Sequence, residues 1–321
     1  MRESLAPGVW GVVATPFQGS TLDVDTDSLA GLVEYYEAIG ATGLTVLGVF
    51  GEAAALTAAE RSLVLEVAVE ETGLPLVAGV TSLYTGTAVE EIRAAQAVAG
   101  ERLAAVMVQA NSANPAVVVA HLNAIHQATG AKVVLQDYPL ASGVSISTES
   151  LINVVQACRF VIAVKAEAPP TSVAIAQLTA ALDVSVFGGL GGQGLLDELL
   201  SGAAGAMTGF SYPEALIACV RAWQTDGYEA ARDALLPYLP LINFEQQARI
   251  ALPVRKECLR QRGLIADAGV RAPGAPFPEV LRLSMLSHLA EAAAALAASG
   301  GSQIAGSPSP GLAPTTMAGV L

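Results

Sequence analysis

Between residues 8 and 227, short runs of β-branched and apolar residues alternate eight times with longer stretches of helical periodicity, each pair punctuated by Gly, Pro or Asn. The spacing predicts strands at 8–15, 43–47, 74–80, 103–108, 132–137, 160–165, 184–187 and 205–208. Helical patterns follow each one, as in 27–39, where Leu29, Leu32, Val33 and Tyr36 share a face, and in 59–71. At about 27 residues per unit, eight parallel strand–helix units close into a (β/α)₈ barrel. An open doubly wound sheet is the competing architecture, but its first unit carries a Gly-rich fingerprint that this chain lacks there.

Composition supports one large core. Hydrophobic residues make up 53% of the 321-residue chain and charged residues 14%, too few for global disorder. A net charge of -13 repels polyphosphate and anionic lipid, so neither nucleic acid nor a membrane surface is an expected partner. The apolar stretches are short and interrupted, with no run of about 20 residues expected to span a bilayer. No signal peptide is read at the N-terminus. Cys158, Cys219 and Cys258 are odd in number and far apart, which fits a reducing cytoplasm better than a disulfide framework or a zinc site. After residue 227 the strand signal ends. Helical patterns at 228–238, 240–261 and 278–298 form an expected C-terminal extension, and the Gly-, Ser- and Pro-rich stretch 299–321 reads as a flexible tail.

In such a barrel the reactive groups stand at the C-terminal strand ends, where the loops surround the mouth. The chain has three lysines. Lys132 opens its strand at the opposite rim and Lys256 lies between Arg255 and Glu257 on a helix, whereas Lys165 ends the sixth strand after four apolar residues. An amine carried into an apolar interior is poorly hydrated as a cation, which favours the neutral form whose lone pair attacks a carbonyl to give a Schiff base. The plainer reading is a strand-end lysine that reaches solvent or pairs with Glu167.

The run Gly48-Val49-Phe50-Gly51-Glu52 with Leu56-Thr57 after strand two, Pro139 to Gly143 after strand five, and Val164-Lys165 at the end of strand six resemble the dihydrodipicolinate synthase and N-acetylneuraminate lyase family of class I aldolases. The likeness runs from about residue 9 to residue 273. It includes Thr15-Pro16, residues 202–208, residues 256–263 and Arg271-Ala272-Pro273. The resemblance implies a (β/α)₈ barrel, usually tetrameric, in which Lys165 forms an imine with a 2-oxo acid such as pyruvate. It implies no further cofactor.

Against that pattern the departures are large. Val49 and Phe50 stand where the family has two hydroxyl residues that bind the oxo-acid carboxylate and relay protons, although backbone N–H groups near Gly51 remain available. Gln136 replaces the proton-shuttling tyrosine, and an amide has no phenol acid–base chemistry. Tyr138, two residues on, shares its strand face and either restores the phenol or packs on the rim. The arginine expected between Pro139 and Gly143 is missing, and Gln109 to Ser112 replaces an aromatic pair, so dihydrodipicolinate synthesis itself is not expected. Glu167 shares strand parity with Lys165 and serves either as a proton carrier or as a neutralising partner; Glu52 matches a family glutamate, with a structural role as the alternative.

After strand seven, the glycine run 188–194 offers backbone N–H groups to a substrate anion through Gly188 and Gly189, or is simply a close-packed turn. It contains a G-x-G-x-x-G match, but in the seventh repeat, which argues against a dinucleotide. Thr208 adds a hydroxyl at strand eight. His121, His126 and His288 make no metal constellation. The sequence therefore reads as a cytoplasmic Schiff-base lyase or aldolase for a 2-oxo acid. The alternatives are a 2-keto-3-deoxy sugar acid dehydratase or hydratase using the same imine, and a ligand-binding barrel without catalysis.

Overall fold

Eight parallel strands close into a barrel in the computed structural model, which describes residues 2–300. In chain order they are Gly8–Val12, Gly43–Val46, Leu76–Gly79, Leu103–Gln109, Val133–Asp137, Val161–Ala166, Ser185–Gly188 and Gly205–Thr208. The first strand pairs with the second and the eighth, which seals the cylinder. Six consecutive residues of the sixth strand are buried, because a parallel strand covered by helices outside and side chains inside has no solvent face. That is why the apolar runs were readable as strands. Of the stretch read as a tail, residues 301–321 lie outside the described residues.

The first strand is shorter than its apolar run. Beyond Val12 the chain turns inward, where the Thr15 hydroxyl donates to the Gly51 carbonyl at 2.7 Å. A small antiparallel hairpin, Phe17–Gln18 with Asp23–Val24, then follows. Helix starts follow local chemistry. Thr57 and Glu60 form a reciprocal capping box at Ala58–Glu71, and Asp25 caps Thr26–Ala38 through the Ser28 N–H at 3.1 Å.

The extension differs from expectation in one place that matters. The pattern at 240–261 reads as a single helix, but the structure has two, Leu239–Glu245 and Ala251–Gln261. Arg249 between them takes a left-handed conformation with φ of 71°, which breaks the helical path and turns the second helix over the barrel mouth. Tyr238, Ile242, Phe244, Val254, Met285 and Leu289 of the extension join Trp10, Phe17, Phe210 and Tyr212 in one apolar cluster.

The expected absence of a long apolar run also needs correction. Residues Glu279–Ala298, a 20-residue stretch in which an 18-residue window reaches a mean hydropathy of 1.3, are long and apolar enough by composition to cross a membrane. Five leucines and seven alanines supply most of that hydropathy despite Arg282, His288 and Glu291. Met285, Leu289, Ala292 and Leu296 of this helix are buried against the rest of the protein.

A buried ion pair clasps the extension to the barrel. Lys256 is fully buried; its Nζ donates to Glu52 Oε1 at 2.7 Å and to the Gly269 carbonyl at 2.6 Å, and lies 4.2 Å from the Phe17 ring centroid. The backbone N–H of Arg271 takes the other Glu52 oxygen at 2.9 Å, while its guanidinium binds Glu60 and the Leu22 and Ala55 carbonyls. Removing one member of such a pair strands a charge away from water. Lys256→Met is expected to lower unfolding stability by about 3–5 kcal/mol in urea titrations, and Glu52→Gln in the same chain to restore part of that loss.

Candidate active site

The sixth strand delivers Lys165 to the barrel mouth, where its Nζ lies 3.1 Å from Glu167 Oε2 with both side chains 6% exposed. Gln136 sits beside Lys165 in register on the fifth strand and donates its Nε2–H to the same Glu167 oxygen at 2.7 Å. The second oxygen accepts a longer contact from the Leu190 N–H, at 3.5 Å. Glu167 is held further by its own N–H, which reaches the Asp137 carbonyl at 2.9 Å. A Cβ at Gly189 would fall 2.2 Å from Glu167 Oε1, so the carboxylate has room only because that position is glycine.

A cavity of about 240 Å³ opens above this group. Of the residues singled out in the sequence, Lys165, Glu167, Gln136, Tyr138, Val49, Phe50 and Thr208 line it together. Burial, and then the neighbouring Glu167, push the Tyr138 phenol above its ordinary range. The Phe50 ring packs against Gly209, where an added Cβ would come within 2.3 Å of it. A second compartment of about 330 Å³ adjoins the first through Val49, Gln136 and Leu252, and is walled mainly by apolar side chains with Gln109 and Thr81 among them.

Gly51, Glu52, Gly188 and Gly189 do not line the Lys165 cavity. Gly51 is engaged with Gly48 and Thr15. Glu52 borders the second compartment, but both its oxygens are engaged by Lys256 and Arg271. The glycine run after strand seven, expected to offer its amides to an anion, turns on itself. Gly191 N–H donates to Thr208 Oγ1 at 2.8 Å, Gly192 to the Gly189 carbonyl and Gln193 to the Leu190 carbonyl. Gly188 instead admits Glu198, whose Oε2 would lie 1.7 Å from a Cβ there.

Sequence reasoning missed the roof. Gln246, Arg249, Leu252 and Arg255 from the extension roof the cavity, and Leu190 lines it from the turn after strand seven. The helix Ala251–Gln261 is buried through Pro253 to Leu259 without a polar face, so Arg255, Lys256 and Glu257 sit inside the protein. Three adjacent charges in a stretch without a polar stripe were the available hint. The histidines have structural partners: His121 Nδ1 lies 2.9 Å from Thr85 Oγ1, and His126 stacks on Phe160. Among the described residues no three of His, Cys, Asp and Glu converge as a metal cage.

A model of the dihydrodipicolinate synthetase family matches residues 6–292. The chain belongs to that family. It is similar to an L-2-keto-3-deoxyarabonate dehydratase of Azospirillum brasilense, 28% identical over 284 residues that cover 85% of this chain and 89% of the relative. A 4-hydroxy-tetrahydrodipicolinate synthase of Kineococcus radiotolerans is 29% identical over 275 residues, covering 84% and 87%. The crystal structure of dihydrodipicolinate synthase from Rhodopseudomonas palustris superposes with a TM-score of 0.83 at 27% identity, over 91% of this chain and 99% of that one. As a family member the chain is an enzyme of a group that includes synthases and dehydratases.

One buried carboxyl next to the site opposes folding at neutral pH. Glu198 accepts from Thr171 Oγ1 at 2.7 Å through one oxygen, while the other is buried without a partner, and desolvation raises its pKa from 4.5 to about 7. The folded state therefore holds this proton more tightly than the unfolded chain. The penalty is absent below pH 4.5, grows as pH rises between 4.5 and 7, and is complete above that. Glu198→Gln is expected to be more stable than wild type by up to about 3 kcal/mol at pH 8, with the difference vanishing near pH 4 in thermal melts.

Proposed function

We propose that this family member is a Schiff-base-forming lyase acting on a 2-oxo acid such as pyruvate or a pyruvate-derived aldol, with Lys165 as the nucleophile. The observation that carries this reading is a buried amine lining a cavity, 3.1 Å from a carboxylate that shares its shelter. In this mechanism Glu167 accepts the ammonium proton as the ketone arrives, and the freed lone pair attacks the carbonyl carbon. The resulting carbinolamine loses water as the proton returns, leaving a protonated imine. That imine withdraws electrons from the adjacent carbon. Gln136 fixes Glu167 in the orientation that faces Lys165. Tyr138 lines the same cavity and carries protons to and from the carbon chain in this reading, with the Thr208 hydroxyl as a substrate-binding group beside it.

Two outcomes follow from one imine. In an aldolase the hydroxyl on the fourth carbon gives its proton to a base, the bond between the third and fourth carbons breaks with its electrons passing into the imine, and the fourth carbon leaves as an aldehyde. In a dehydratase a proton leaves the third carbon and hydroxide leaves the fourth. The Azospirillum relative, named for dehydration of a 2-keto-3-deoxy acid, favours keeping this second reading. The adjoining compartment, walled mainly by apolar side chains, takes the remainder of the substrate in either case. We place the enzyme in the cytoplasm, as a homotetramer.

Borohydride reduction in the presence of pyruvate, followed by peptide mass mapping, should leave an adduct on Lys165. An unmodified lysine across a panel of 2-oxo acids would instead mean a ligand-binding barrel without catalysis. Lys165→Ala should fold as wild type and lose turnover, and turnover retained in that variant would refute the nucleophile. Glu167→Gln should slow imine formation by about 10²–10⁴-fold in rapid-quench trapping. Product analysis then separates pyruvate plus aldehyde from loss of water without cleavage.

A further inference from the structure

Arg255 enters the Lys165 cavity from outside the eightfold repeat, and its hydrogen bonding is incomplete. The side chain is 8% exposed, and its Nε and Nη2 are buried with no hydrogen-bond partner. Glu245 is its ion-pair partner, but the Nε to Oε2 separation of 3.7 Å is too long for a hydrogen bond. Glu245 is already satisfied elsewhere, since the Ser211 hydroxyl donates to one oxygen and the Ser211 N–H to the other at 3.2 Å. Full burial raises Glu245 to about 7, so near neutral pH it offers only part of a counter-charge.

The surroundings hold the guanidinium in place without answering its donors. The Phe50 ring centroid lies 5.4 Å from Cζ on one side. On another, a Cβ at Gly191 would come within 2.8 Å of Nη2, so the left-handed glycine there leaves the fork its space. A buried cation with idle N–H groups is costly unless an acceptor completes it. A planar guanidinium matches a carboxylate through two parallel bonds. Elsewhere in the cavity Lys165 and Glu167 neutralise each other, and the other guanidinium on its lining, Arg249, is exposed to solvent, which leaves Arg255 as the buried cation facing a ligand. Thr208 Oγ1 accepts from the Gly191 N–H and keeps its own hydrogen to donate beside it.

We infer that Arg255 is the carboxylate receptor of this cavity and, with the Thr208 hydroxyl, seats the carboxylate of the oxo acid so that the adjoining carbonyl faces Lys165. The assignment rests on the proposed imine chemistry for its substrate, and it is tested partly without it. Lactate carries the carboxylate but no ketone, so its calorimetric titration reads the subsite independently of any imine. Arg255→Met should weaken lactate binding by about thirtyfold or more, and Arg255→Lys, which keeps the charge without the fork, by about tenfold. Wild-type affinity in both variants, or no lactate binding by the wild-type protein, overturns the assignment. Should the Met variant fail to fold, the Lys variant carries the test alone. Borohydride trapping adds a second readout: in Arg255→Lys the half-saturating pyruvate concentration should rise by about tenfold, while trapping by hydroxyacetone, a ketone without a carboxylate, stays unchanged. Equal loss of both marks a merely structural role and overturns the assignment. Arg255-dependent lactate binding with no trapping on Lys165 would sink the imine reading and leave the subsite standing.

Discussion

Two opposite charges withdrawn from water at one spot, Lys165 and Glu167, set the terms for the packing around them. Burial penalises each ion by several kcal/mol, and only close contact with additional hydrogen bonds offsets that cost. The fold meets the requirement from three sides. The fifth strand brings Gln136 into register with Lys165, the turn after strand seven supplies the Leu190 N–H, and the absence of a side chain at Gly189 leaves the carboxylate its room. A parallel barrel suits this arrangement because adjacent strands end at the same rim, so that groups far apart in the chain converge without any loop having to carry them.

The barrel was largely legible because parallel strands covered on both faces leave continuous apolar runs in the chain. Each strand was placed to within a few residues. The hairpin at Phe17–Gln18 and Asp23–Val24 was not, since strands of two residues carry no periodic signal. The break at residues 246–250 was also hidden, because a left-handed arginine leaves no mark in composition.

For the site, strand-end position singled out Lys165 and side-chain alternation Tyr138, while Gln136 and Thr208 were marked by the family resemblance; the structure gathers all four round one cavity. The glycine run 188–194 was read two ways, as an anion cradle or as a close-packed turn, and its residues alone did not separate them. A turn rich in glycine looks the same whether its amides face a ligand or close on their own chain, and here Thr208, Gly189 and Leu190 take them. Arg255 was out of reach for a different reason. The adjacent charges at 255–257 hint that this helix is buried, but nothing local says that Arg255 will reach over a cavity holding Lys165, 90 residues earlier in the chain.

The cavity has floor and roof from separate stretches of polypeptide. Its floor is made by strand termini whose side chains also fill the cylinder, and substitutions there disturb the hydrogen-bonded ladder. The roof, from Gln246 to Arg255, belongs to a bent connector and the start of the helix that follows it, and shares no ladder with the strands. Mutation can therefore remodel the ceiling while the foundation stays intact. Within such a lineage, the preference for one acid over another is free to drift at a pace unrelated to that of the chemistry beneath it.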